Sequence, residues 1–205
     1  MTALFEKIRR WLRFNARYVG RPPWDTGISP PELLHFLESA QPGRALDLGS
    51  GPGTNLLTMA EQGWDVVGVD FALISVCQAW LKLRKAGYEG WVIWGDVTGD
   101  LELGEPFDLI LDMGCFHGLM EAGRESYRRN LQRWLIQGGT YLLYAHWQTP
   151  ESSHGIRERD LDAFATFLEL QWREDSGEKR PTGGGGRPAT WVRFDRRKDN
   201  QTHGT

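Results

Sequence analysis

The sequence predicts an α/β fold, a doubly wound and mostly parallel sheet, and three observations lead to it. Short apolar runs alternate with segments of helical periodicity along most of the 205 residues. The first of these runs, Ala45, Leu46 and Leu48 interrupted only by Asp47, enters a turn with Gly49, Gly51 and Gly53 and leaves it in a helical pattern from Leu56. Strand, glycine loop and helix make the first unit of such a sheet, whose ligands sit beyond the carboxyl ends of the strands. Five strands read this way, and a helix with a pair of short strands follows them. The expected sheet is therefore seven-stranded with an antiparallel last strand.

Residues 3–19 are amphipathic: Leu4, Ile8, Trp11 and Leu12 recur at helical spacing, with Lys7, Arg10, Arg13 and Arg17 largely off that stripe. Residues 1–23 carry six basic side chains against Glu6 alone, about +5 within a chain of net charge −3. Either a membrane-surface helix or a cap helix over the ligand cleft fits. The shortness of the stripe favours the cap. A rigid linker follows, Arg21-Pro22-Pro23-Trp24-Asp25-Thr26-Gly27. Ser29 with Glu32 forms a capping-box pair and Pro30 suits a first helical position, so a helix is expected from Pro30 to Ala40.

After the glycine loop a helix runs to Gln62 and stops at Gly63. Trp64 to Asp70 is a buried strand ending on an acid 19 residues beyond Gly51, the distance at which a carboxylate reaches a ribose in a nucleotide-binding fold. Ser75 to Ala86 reads as a helix and Gly90 to Trp94 as the third strand, followed by Gly95-Asp96-Val97, where Asp96 also fits a simple turn. Pro106 to Met113 is the fourth strand and 121–135 an amphipathic helix. Gly138 and Gly139 turn the chain into the fifth strand, Thr140 to Ala145, and His146 and Trp147 lie at its carboxyl end. A helix over 158–169 and a short strand at Leu170 to Trp172 come next. Asp175 to Pro188, with four consecutive glycines, reads as a mobile loop or lid. Thr190 to Phe194 is a final edge strand, and 197–205 a disordered tail.

Composition narrows the function. The slightly acidic balance gives no argument for a nucleic-acid partner. The two cysteines, Cys77 and Cys115, make no disulfide framework and lack metal-ligand spacing, so no metal is expected. No apolar run has membrane-spanning length, and the N-terminus is charged where a signal peptide would be apolar, so no integral membrane association and a cytoplasmic location are expected.

The loop itself selects among ligands. A dinucleotide fingerprint would place its third glycine at position 54, which is Thr54, and no Lys-Ser/Thr pair follows for a P-loop. Asp47 beside the loop would repel a pyrophosphate but suits a ligand carrying an ammonium and a sulfonium. Asp47-Leu48-Gly49-Ser50-Gly51-Pro52-Gly53 resembles the first motif of class I S-adenosylmethionine-dependent methyltransferases. Pro-Trp-Asp-Thr-Gly and the Asp112-x-Gly114-x-Phe116-His117-x-Leu119 pattern resemble the small-molecule thiopurine and tellurite-resistance group.

The resemblance spans roughly 18–196. It implies a Rossmann-like sheet with helices on both faces under an N-terminal cap helix. The implied division is a cap and linker at 1–28, the methyltransferase domain at 29–196 and the tail at 197–205. The cofactor-binding set it implies is Trp24, Gly27, Asp47, Gly49, Gly51, Asn55, Asp70 on the ribose, Phe71, Asp96 and Val97 around the adenine, and Met113 and Gly114 near the methionine portion. His117 and His146 would face the acceptor, as general bases or as packed imidazoles.

The implied activity is in-line transfer of the methyl group of S-adenosylmethionine to a small-molecule acceptor: a thiol, a metalloid, or a small aromatic or natural-product nucleophile. A monomer or dimer is expected. A non-catalytic S-adenosylmethionine-binding module and, with less support, a nicotinamide-dependent oxidoreductase remain open.

Overall fold

The structure, a computed structural model, describes residues 2–20, 22, 24–179 and 185–198. Seven strands form one sheet in the order β3-β2-β1-β4-β5-β7-β6, with β7 antiparallel to both of its neighbours. The chain forms two compact units, one ending at Glu102 and one beginning at Leu103.

The first unit contains α1 (Thr2–Tyr18), α2 (Pro31–Ser39), β1 (Arg44–Leu48), α3 (Thr54–Glu61), β2 (Asp65–Asp70), α4 (Leu73–Lys85) and β3 (Trp91–Trp94). β1 and β3 flank β2 in parallel register, with Leu48 opposite Val69 and Asp70 opposite Trp94. The core is aliphatic: Leu33, Leu46, Leu48, Leu56, Met59 and Val69 are fully buried. Gly53, at φ 80°, begins α3 against α4, and a Cβ there would lie 2.8 Å from Ala79 Cβ. No other residue allows that approach without moving a helix.

The C-terminal half of α1 is held on α4. Asn15 Oδ1 accepts the Ile74 N–H at 3.1 Å, Gln78 Nε2 donates to the Tyr18 carbonyl at 3.0 Å, and the Trp11 and Trp94 rings lie 6.4 Å apart. Phe5, Ile8 and Leu12 remain exposed along the same helix, while the side chains of Leu4, Lys7 and Arg10 are outside the described residues. The expected capping box at Ser29 and Glu32 does not form. Pro30 is the N-cap and has no side-chain cap bond. The Ser29 hydroxyl turns instead to α3, 2.9 Å from Asn55 Oδ1 and 2.8 Å from Thr58 Oγ1.

The second unit contains β4 (Phe107–Met113), a 3₁₀ turn (Phe116–Gly118), α5 (Glu121–Trp134), β5 (Leu135–His146), α6 (Glu158–Asp162), a second 3₁₀ turn (Ala163–Thr166), β6 (Leu168–Lys179) and β7 (Gly185–Arg196). Its core is aromatic. Phe116, Tyr127, Tyr141 and Phe164 are fully buried, with successive ring centroids 5.0 to 5.5 Å apart. A buried ion pair, Arg124 to Asp160 at 2.6 Å, ties α5 to α6, and Arg124 also donates to the Gly155 carbonyl.

Here the structure departs from several sequence expectations. β5 starts at Leu135, takes up Gly138 and Gly139, and shifts register against β4 between Phe107 and Leu109. The helix expected over 158–169 is one α turn and a 3₁₀ turn. The short strand at Leu170 to Trp172 is part of a twelve-residue strand, and β7 is equally long. Thr190 to Phe194 is not an edge: β7 pairs with β5 and β6 at once, and β6 is the outer strand.

The loop expected at Asp175 to Pro188 is consequently paired at both ends, with Ser176 opposite Ala189 and Gly177 opposite Pro188. Its centre, 180–184, is outside the described residues, as is 199–205 of the expected tail. β6 lacks strand periodicity because it is exposed and charged. Arg173 bridges to Glu158 and Asp175, both at 2.8 Å, so charges on the edge strand replace the apolar alternation that marks a strand. No helix among the described residues is long and apolar enough to cross a membrane.

Candidate active site

At the carboxyl ends of β1 and β2 the chain makes a compact cradle. Gly49, Gly51 and Gly53 hold φ values of 77°, 53° and 80°, a left-handed run that a side chain would strain. The Gly49 and Ser50 N–H groups both donate to the Val69 carbonyl, at 2.8 and 3.1 Å, pinning the loop across β2. Asp70 then reaches back. Its Oδ2 accepts the Gly51 N–H at 2.8 Å and its Oδ1 the Ala72 N–H at 2.7 Å. Burial raises its pKa, opposed by these hydrogen bonds. Asp47 is buried within β1.

The linker and α1 frame this cradle. Tyr18 is buried, and its hydroxyl lies 3.4 Å from where a Cβ of residue 51 would stand. It accepts a hydrogen bond from Trp24 Nε1 at 3.2 Å, and the Arg17 guanidinium sits 5.2 Å from the Trp24 ring centroid. Trp24 is thereby linked through Tyr18 to the glycine loop. Gly27, at φ 73°, turns the chain toward Ser29, whose hydroxyl meets Asn55.

Phe71 directs its carbonyl to Trp94 Nε1 at 3.0 Å, tying the end of β2 to that of β3. Asp96 makes a turn of its own: Oδ1 accepts from Thr98 N at 3.0 Å and Thr98 Oγ1 at 2.6 Å. Val97 beside it is buried. Among the described residues, no group of three or more His, Cys, Asp or Glu is arranged to hold a metal ion.

The second cluster lies wholly in the second unit. Asp112, the penultimate residue of β4, is fully buried. Its Oδ1 accepts the Cys115 N–H at 2.7 Å, and its Oδ2 accepts the Phe116 N–H at 2.9 Å and the Tyr127 hydroxyl at 2.6 Å. Tyr127 and Tyr141 share a further hydroxyl contact at 3.0 Å. Burial pushes the Asp112 carboxyl up to about 7, against the hydrogen bonds that favour its charged form.

These bonds fold the chain after Met113 into the 3₁₀ turn that carries His117. Gly114, at φ 95°, opens that turn, and a Cβ there would stand 3.2 Å from His117 Cε1. The Gly114 position therefore makes room for the imidazole. His117 Nδ1 accepts the His146 N–H at 3.2 Å, and the two rings are 4.8 Å apart. His154 meets His117 edge-on at 5.2 Å. Burial first, then the charges of His146, His154, Arg187 and Arg124, lowers the His117 pKa to about 3.

Sequence reasoning thus assembled two sets that the structure brings together: Gly51 and Asp70 by a hydrogen bond, with Gly49 in the same loop and Trp24 near it through Tyr18, and Gly114, His117 and His146 by packing and the His146 N–H bond. It missed Asp112, Tyr127 and Tyr141 as the scaffold of the second cluster, and His154 as its third imidazole. Asp112 could have been found as an acid inside an apolar strand, which must have partners.

Residues 45–139 match the model of the family described as a methyltransferase domain. A 2-heptyl-1-hydroxyquinolin-4(1H)-one methyltransferase of Mycobacteroides abscessus is 29% identical over 127 residues, covering 61% of this chain and 56% of that protein. A probable thiol methyltransferase 2 of Arabidopsis thaliana is 32% identical over 129 residues, covering 60% of this chain and 56% of that protein. The chain thus spans about half the length of these curated relatives. Among solved structures, the 1,6-didemethyltoxoflavin-N1-methyltransferase of Burkholderia thailandensis with S-adenosylhomocysteine bound superposes with a TM-score of 0.74. It is 18% identical, covering 96% of this chain and 90% of that one.

Proposed function

We propose, from the match of residues 45–139 to the methyltransferase-domain model and from the sheet order, that the chain moves a methyl group from S-adenosylmethionine to a small molecule in the cytoplasm. The observation that carries the reading is the cradle at β1 and β2. Three glycines with left-handed backbone remove the Cβ at positions 49, 51 and 53, and a buried carboxylate closes the loop. Asp70 accepts the Gly51 N–H on one oxygen and the Ala72 N–H on the other, which fixes its carboxylate against the loop. A buried carboxylate at the end of β2, beside the glycine loop, stands where a ribose is held in a nucleotide-binding fold, so the residues fit the cofactor.

When bound, S-adenosylmethionine supplies a methyl group already activated by its sulfonium. The protein's own contribution is alignment and exclusion of water. In this assignment Gly49, Gly51, Asp70 and Phe71 seat the nucleoside, Asp96 and Val97 border the adenine, and Trp24 with Tyr18 covers the loop. Met113 and Gly114 border the methionine portion, and His117 and His146 face the acceptor. The acceptor classes are those of the likenesses, thiols and small aromatic nucleophiles, and the protein acts as a monomer or dimer.

Calorimetric titration with S-adenosylhomocysteine, NAD and NADP tests the cofactor. Binding of the first alone supports the reading, and binding of a nicotinamide nucleotide instead would overturn it. A radiolabelled methyl-transfer assay against thiols then separates an enzyme from a non-catalytic binding module.

A further inference from the structure

We infer that His117 acts as a hydrogen-bond donor rather than as a base, so that the methyl acceptor is taken up as a preformed anion. The inference rests on the methyltransferase reading above and concerns only the acceptor. It follows from the hydrogen bond between His146 N–H and His117 Nδ1, 3.2 Å long. A backbone N–H can donate only to a bare nitrogen, so Nδ1 carries the lone pair and the ring proton of neutral His117 resides on Nε2. A general base needs a bare nitrogen facing the substrate. His117 has one, and the backbone of β5 occupies it.

The surroundings hold the ring in this neutral form. A second proton would have to displace the His146 N–H, inside a site where His146, His154, Arg187 and Arg124 all oppose added positive charge. The ring cannot swing away freely. Its edge fills the space above Gly114, where even a Cβ would come within 3.2 Å, and His146 and His154 pack at 4.8 and 5.2 Å. Asp112 fixes the turn from below through the Cys115 and Phe116 amides. What remains to meet an acceptor is a fixed Nε2–H, with guanidinium charge nearby. That environment attracts an anion and offers nothing to a proton that must be removed.

The chemistry balances without a base. The acceptor anion places a lone pair on the methyl carbon, the carbon–sulfur bond breaks, and its electron pair stays on sulfur as a neutral thioether. One negative and one positive reactant give two neutral products, and no proton is released in the step. Acceptors that ionise near or below neutral pH qualify: thiols of aryl type, N-hydroxy heteroaromatics and related acids. Aliphatic alcohols and ammonium groups do not.

The test begins with ¹⁵N-histidine-labelled protein saturated with S-adenosylhomocysteine, whose long-range nitrogen–proton spectrum reports tautomer and charge. His117 is expected as the Nε2–H form and neutral down to about pH 4. An Nδ1–H form, or titration near the ordinary 6.5, would overturn the inference. Failure of S-adenosylhomocysteine to bind at all would instead remove the methyltransferase reading.

The second arm uses 4-nitrothiophenol, thiophenol and benzyl mercaptan, whose acidities differ widely. The inflection in kcat/KM is expected to follow each thiol's own pKa. A fixed inflection shared by all three and abolished in His117→Gln would show a base. The Gln variant keeps an N–H donor and should stay within about tenfold of the parent, whereas His117→Phe should lose about 10- to 100-fold in kcat/KM, the worth of a hydrogen bond to a charged group. Equal losses in both variants would return His117 to the role of a base.

Discussion

Asp70 and Asp112 occupy comparable places, at or beside the carboxyl end of a parallel strand, and both accept backbone N–H groups from the turn that follows. They differ in what holds the carboxylate. Asp70 takes the Gly51 N–H on one oxygen and the Ala72 N–H on the other, with the Ser75 hydroxyl and the Phe71 N–H also lowering its pKa. Asp112 takes two amides and a tyrosine hydroxyl, with a second tyrosine behind the first, and it has no exposure at all. One carboxylate closes a cradle at the glycine loop. The other is sealed into the core and shapes a turn.

The contrast sets the sizes of the expected effects. Asp112→Ala strands two amides and the Tyr127 hydroxyl in the aromatic core, so a loss of about 3–5 kcal/mol in unfolding free energy is expected. Urea denaturation followed by tryptophan fluorescence measures it. A loss below about 1 kcal/mol would mean that water replaces the carboxylate and that the core is not sealed. Asp70→Ala should leave a folded protein that binds S-adenosylhomocysteine about 10- to 100-fold more weakly, from the loss of charge-assisted hydrogen bonds to the ribose. Unchanged affinity in calorimetry would make Asp70 a loop clamp and nothing more.

Acidity gives a third way to separate regions, this time Asp112 from His117 within the second unit. The folded Asp112 carboxyl titrates at about 7 and the unfolded one at its ordinary 3.8. Between these values the folded protein holds a proton that the unfolded chain has released, so this group's contribution to stability falls as pH rises. His117 runs the other way. Its folded pKa is about 3 against an ordinary 6.5, so across that window the unfolded chain holds the extra proton and stability rises with pH. The two slopes oppose one another between about pH 4 and about pH 6.5. Asp112→Asn should therefore make stability climb more steeply with pH than in the parent, and His117→Gln should make it climb less. Parallel pH profiles for all three proteins would refute both assignments.

The same contrast explains what the sequence made legible. Asp70 could be read because its partners are set by a local rule: a glycine loop, a strand, and an acid 19 residues after Gly51. The alternation of strands and helices through β5 followed for the same reason, since strand, turn and helix signals are local, whereas the order β3-β2-β1-β4-β5 is seen only in the fold. Asp112 has no such rule. Tyr127 and Tyr141 come from α5 and β5, and only the fold shows that their hydroxyls converge. The three imidazoles at His117, His146 and His154 are similarly brought together from different segments. The β6–β7 pair was underread because its strands are long where its sequence is charged and glycine-rich, and pairing on both sides of β7 supplied the order that local propensity lacked.

Asp96 carries the smallest expected effect and sharpens the comparison from the other side. Its Oδ1 already holds Thr98 through both the amide and the hydroxyl, so the residue earns a place in the turn without any ligand. If the turn is its whole purpose, Asp96→Asn should be silent, because an asparagine carbonyl accepts the same two hydrogen bonds. If it also receives the adenine amino group, the neutral amide is the weaker acceptor. S-adenosylhomocysteine affinity should then fall about two- to fivefold, a change of about 0.4–1 kcal/mol, with thermal stability unchanged. We expect the second outcome, because Asp96 stands half-buried just beyond the carboxyl end of β3, the side of the sheet on which ligands of this fold sit. Loss of stability together with affinity would place Asp96 beside Asp112 as a scaffold, and loss of affinity alone would place it beside Asp70.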